Sequence, residues 1–158
     1  MNSTSLDEEA DSGEPNDAAS YNLQEGDRRQ VVVRQIRERR GQQQFRDALR
    51  ERYGDRCLVT GCEVLAVLEA AHISPYRGED DNHPENGLLL RADIHTLFDL
   101  DLIGFEPDRL QVEVHPSLVK EYGKLTGKTL GCVRDHRPSR EALRLRYEQF
   151  VQRLERSA

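Results

Sequence analysis

Between Glu69 and Asp101 the chain reads EAAHISPYRGEDDNHPENGLLLRADIHTLFDLD. His72 closes one apolar run and Asn86 opens a second; His95 follows nine residues later, and Asp99 stands one helical turn beyond it. Together these side chains suit metal-assisted hydrolysis of a phosphodiester. That reaction needs an activated water, stabilised charge on the phosphate, and a proton for the leaving 3′-oxygen. A neutral imidazole can take the water's proton, and a divalent cation can stabilise the charge. His72 ends a strand where a loop begins, so it is the candidate base. Asn86 can accept from its Nδ1–H through the side-chain oxygen, which leaves Nε2 as the basic nitrogen. His95 and Asp99 are at i and i+4 on a helix and offer a nitrogen and a carboxylate oxygen on one side. Taken singly, each has a plainer reading: a core or surface histidine, an Asn-Gly turn, a surface His/Asp pair. The order strand, loop, strand, helix is what favours the catalytic reading of all four.

The spacing of Val32, Ile36, Phe45, Leu49 and Tyr53 predicts helix over Arg28–Tyr53, broken near Gly41. Cys57–Thr60 is expected as a short strand ended by Gly61, and Leu68–Ile73 as the first strand of the site. Ser74–Glu85 is a loop, Gly87–Leu90 a buried strand, and Ala92–Leu100 a helix with Ile94, Leu97 and Phe98 inward. Leu102–Phe105 and Leu110–Val114 form a hairpin around Glu106-Pro107-Asp108. Pro116–Tyr122 is a short helix or turn. A last helix begins at Pro138, with Ser139 as N-cap and Leu143, Tyr147, Phe150 and Leu154 as its apolar stripe. The fold class is α+β: an N-terminal helical region, a ββα core, an adjacent β-hairpin and a C-terminal helix.

At 158 residues the chain has room for one modest core. No apolar stretch approaches the roughly 18 residues of a membrane span. The start, MNSTSLDEEADSGEP, lacks the basic and apolar regions of a secretory signal. Three cysteines without framework spacing fit a reduced, cytoplasmic setting. The net charge of −6 is unevenly spread. Residues 1–27 carry −8 and read as a disordered acidic tail; residues 28–56 carry +6 as a basic helical region. Residues 57–131, the core with its hairpin, carry −7, and the C-terminal helical segment 132–158 carries +3. Acids around a cation and arginines on the flanks suit a protein that grips phosphates. Solvated helix faces with i,i+4 partners give the same pattern.

The motifs A-A-H-I-x-P-Y, N-G-L-L-L and H-x-L-F-D, with the upstream RRGQQQFRDALRERYGDRCLVTG, resemble one branch of the HNH endonucleases. The resemblance runs from about Arg39 to Val114. It implies a ββα-metal nuclease core in which two strands, a loop and a helix surround one divalent metal. It places His72 at the general base, Asn86 at the asparagine that orients or supports it, His95 at the final histidine, and Asp99 at a second helix ligand. Many family members carry a metal-binding His or Asp just before the base; here that residue is Ala71, as in the branch resembled. Glu69, two residues earlier on the same strand face, is a further candidate metal oxygen. Mg²⁺, which tolerates a water-rich shell, is the favoured cofactor, with Mn²⁺, Zn²⁺ or Ni²⁺ as alternatives. DNA is the expected partner. Arg37, Arg40 and Arg46 are candidate phosphate contacts, and Arg77 and Arg91 lie nearer the scissile position. A homodimer would serve to cut both strands.

Two other readings remain open. The unit could bind nucleic acid without cutting it, a reading that Ala71 and the acidic middle favour and that intact His72 and Asn86 oppose. Or Cys57, Cys62, Cys132 and His136 could hold zinc in an interaction domain, although the Cys-x4-Cys spacing has no second pair. His83 lies in the loop beside proline, and His115 has no supporting pattern.

Overall fold

The computed structural model describes residues 42–132 and 135–157. The acidic tail, the predicted helix before residue 42, the break at Gly41, and Arg37 and Arg40 lie outside the described residues. Helix α1 (residues 42–53) buries Phe45, Leu49 and Tyr53, one side chain per turn.

The expected strand at Cys57–Thr60 is instead a turn: Gly61 N donates to the Cys57 carbonyl at 2.9 Å. The Cys57 sulfur accepts from the Thr60 amide at 3.4 Å and the Arg91 amide at 3.2 Å. The run was apolar because Cys57, Leu58 and Val59 are buried, which a turn against the core satisfies as well as a strand.

Strands β1 (Leu68–His72) and β2 (Gly87–Arg91) pair antiparallel, with His72 opposite Gly87 and Glu69 opposite Leu90. Alternation sends Leu68, Ala70 and His72 to one face and Glu69 and Ala71 to the other. The first face receives α1. A Cβ at Gly87 would stand 2.6 Å from Phe45 Cζ, and Tyr53 Oη donates to the Gly87 carbonyl at 3.0 Å. Helix α2 (Ala92–Asp99) follows β2 directly and buries Ile94 and Phe98.

Strands β3 (Ile103–Glu106) and β4 (Gln111–Val114) form the predicted hairpin. Its turn is fixed by the Glu106 carboxylate, which accepts from the amides of Asp108 and Arg109. Pro116–Leu118 is a 3-10 turn leading into the one-turn helix α3 (Val119–Tyr122). Helix α4 (Arg140–Arg156) begins at Ser139, whose hydroxyl accepts from Ala142 N as a cap does. It lies across β3, where a Cβ on Gly104 would come 2.5 Å from Phe150. One core runs from Phe45 through both β-hairpins to Leu143. Among the described residues no helix is long and apolar enough to cross a membrane.

Candidate active site

The imidazole of His72 is held on three sides. It stacks on Phe45, with ring centroids 4.2 Å apart and planes 11° from parallel. Tyr76 meets it at a tilt, centroids 5.5 Å apart. Its Nε2 lies 2.9 Å from Asn82 Oδ1. With the amide oxygen accepting, Nε2 carries the proton and Nδ1 is the basic nitrogen.

Asn86 does not make the expected bond to the His72 ring. Its Oδ1 accepts from Ser74 N at 2.9 Å, and its Nδ2 donates to the carbonyls of Ser74 at 3.1 Å and Asp81 at 2.9 Å. Asn86 therefore ties the two ends of the 73–86 loop together. It supports His72 through that loop, which carries Asn82. The side-chain amide mimics a backbone pair at the mouth of a hairpin. Nothing in the sequence separated the two asparagines, only four residues apart, except that Asn86 opens an apolar run.

On the opposite face, His95 is gripped by two carboxylates. Nδ1 lies 2.8 Å from Glu69 Oε1, and Nε2 lies 3.2 Å from Asp99 Oδ2. Carboxylates only accept, so each contact needs a proton or a cation at that nitrogen. The closer Glu69 contact fits Nδ1–H···O, which leaves Nε2 beside the Asp99 carboxylate. A carboxylate on one ring nitrogen is the arrangement that orients metal-binding histidines, here with Nε2 directed toward Asp99. The donor set thus fits a hard or borderline divalent cation held by His95 and Asp99 with waters. Glu69, the further metal oxygen expected from its strand position, contacts His95 Nδ1 in this structure. Among the described residues no three His, Cys, Asp or Glu side chains converge as a ready metal cluster.

His72 and His95 are not joined. Strand alternation puts His72 on the α1 face and Glu69, which meets His95 of α2, on the other, and no hydrogen bond or ion pair links the two histidines among the described residues.

The arginines also differ from expectation. Arg46 donates to the carbonyls of Leu68 at 3.2 Å and Leu65 at 2.7 Å, so it fastens the entry to β1. Arg91 grips Asp93 through two bonds at 2.7 and 2.9 Å. These bonds, aided by Tyr122 Oη at 2.9 Å, hold the Asp93 carboxyl well below its usual range, at about 2. In this structure both guanidinium groups are engaged by neighbouring carbonyls or a carboxylate. Arg77 is exposed in the loop, with its backbone amide on Asp81 Oδ2 at 2.7 Å.

Burial pushes the Cys132 thiol up to about 11, Cys57 is capped by amides, and His136 is exposed. With Cys62, these residues form no metal-binding cluster among the described residues. His83 Nδ1 caps the turn at Glu85, and His115 bonds Ser117 and Ser157.

Residues 57–106 match the family described as HNH endonuclease. Among solved structures the chain is similar to one titled "Modification dependent TagI restriction endonuclease". The identity is 25% and the TM-score 0.50, over 67% of this chain and 37% of that one. The chain therefore spans well under half of that enzyme's length. No curated protein sequence gives a match. The matched segment 57–106 contains the β1–β2–α2 order described above, in agreement with that likeness.

Proposed function

We propose that this protein is a metal-dependent endonuclease that hydrolyses DNA phosphodiester bonds. The observation that carries the reading is the carboxylate–imidazole–carboxylate line Glu69–His95–Asp99 on the HNH unit. In this reading His95 Nε2 and Asp99 hold a divalent cation, with Mg²⁺ favoured and Mn²⁺, Zn²⁺ or Ni²⁺ as alternatives. The cation, when bound, supplies charge stabilisation at the phosphate and leaving oxygen. Glu69 keeps the proton on His95 Nδ1. His72 takes the proton of the attacking water at Nδ1, while Asn82 holds its Nε2–H and Phe45 fixes its plane. The scissile phosphate then lies across the hairpin edge, between the two faces. Arg77 is the arginine placed to meet a neighbouring phosphate.

The separation of His72 from His95 is what favours a second reading, a module that grips nucleic acid without cutting it. Nicking of supercoiled plasmid separates the two. The first predicts nicking with Mg²⁺, Mn²⁺ or Ni²⁺, none in EDTA, and loss of at least ~100-fold in His72→Ala. Absence of nicking with every metal, beside retained DNA binding, would leave the binding module.

A further inference from the structure

We propose that Arg146 of α4 is a positioning residue for the cation-binding end of α2. The inference rests on the reading of His95 and Asp99 as cation ligands.

A helix leaves its last carbonyls without intrahelical partners. At the end of α2 the following backbone meets three of the four. Leu100 N donates to Thr96, Leu102 N to Leu97, and Asp101 N to Phe98. Among the described residues the fourth, the Asp99 carbonyl, is met by Arg146. Arg146 Nη2 donates to it at 3.2 Å and to the Phe98 carbonyl at 3.0 Å. The guanidinium also lies over the Phe98 ring, 4.9 Å from its centroid. The side chain is only 13% exposed, so the contact is fixed by packing.

Asp99 is the last residue of α2, where helices fray, and its side chain is more than half exposed. The direction of its carboxylate toward His95 Nε2 is therefore set chiefly by its backbone. Arg146 pins that backbone. A guanidinium beside a cation site would ordinarily repel the ion that its neighbouring ligand holds. Here Asp101, left-handed at φ 57°, sets its Oδ1 3.4 Å from Arg146 Nε as a charge partner, without the angle of a hydrogen bond. Arg146 thus orders Asp99 while its charge is offset. Because α4 lies beyond residues 57–106, the HNH unit borrows its last fixed point from outside itself.

The test is Mn²⁺ binding to the full chain by calorimetry, with thermal unfolding measured on the same samples. Arg146→Gln is expected to weaken Mn²⁺ binding by ~10-fold, and Arg146→Lys by less, since outer partners of ligands typically act on that scale. Tyr147→Phe is the control: it loosens α4 at its bond to Glu113, yet should bind Mn²⁺ as the wild type does. If Arg146→Gln does not fold, Arg146→Lys carries the comparison at ~3-fold. Unchanged Mn²⁺ binding in both Arg146 variants, while Asp99→Asn abolishes it, overturns the positioning role and leaves the site. An equal loss in Tyr147→Phe overturns it too, because docking of α4 would then explain the effect. Unchanged binding in Asp99→Asn shows that the cation reading itself has failed, and the role of Arg146 with it.

Discussion

Gly87→Ala is the substitution in which packing and chemistry are most closely tied. Gly87 faces His72 across the β1–β2 pair and lies under α1. A new Cβ would fall 2.6 Å from Phe45 Cζ and 2.7 and 2.8 Å from the two Leu49 methyls. Phe45 is 1% exposed and Leu49 fully buried, so neither ring nor methyls have free space to retreat into. Relief requires α1 to lift by something on the order of 1 Å, and overpacking of this kind costs about 1–3 kcal/mol. Three simultaneous close contacts place the expected loss near the upper end, about 2–3 kcal/mol. The same lift strains the Tyr53 bond to the Gly87 carbonyl. It also moves Phe45, on which the His72 imidazole is stacked. Plasmid cleavage should therefore fall by ~10-fold or more even at temperatures where the variant is folded, as a misplaced base does. Urea unfolding gives the first quantity and initial nicking rates the second. A variant as stable as the wild type would refute the account of α1 docking. A destabilised variant that cuts at the full rate would refute the claim that Phe45 positions the base.

Asn82→Ala removes the group that holds the proton on His72 Nε2, so kcat should drop by ~10-fold or more with KM for DNA little changed; an unchanged kcat would assign the loop no part in orienting the base. Asp93→Asn takes away the carboxylate shared by Arg91 and Tyr122. Because its folded pKa of about 2 lies below the unfolded value of 3.8, its contribution is present above pH ~4 and is lost as the pH falls toward 2. The side chain is 37% exposed, so the charge effect is worth about 1 kcal/mol after screening. Denaturation midpoints of wild type and variant should accordingly differ at neutral pH and converge in acid, and parallel curves down to pH 2 would contradict this.

The ββα order was legible because its signals are local. An apolar run ends at His72, another begins at Gly87, and Ile94 and Phe98 recur at helical spacing. The β3–β4 hairpin and the Ser139 cap were legible for the same reason. Partners across the fold were not. Phe45 on His72, Asn82 on Nε2, and Arg146 on the Asp99 carbonyl are tertiary contacts, and no spacing rule in the sequence encodes them. Cys57–Thr60 was misread since a buried turn and a short buried strand share one composition. That Arg46 reaches the Leu65 and Leu68 carbonyls and Arg91 the Asp93 carboxylate was not legible either, because charge alone does not reveal which partners stand within reach.

The central claim is that His72 on one face of the hairpin and His95 on the other serve a single reaction. The direct test is cleavage by His72→Ala, His95→Ala and the double variant, each confirmed as folded. Groups that act as a unit lose little more together than singly. The account predicts a double variant no slower than the worse single one, with each single loss at ~100-fold or more. Losses that multiply, or a His72→Ala enzyme that nicks plasmid at the wild-type rate, would contradict it.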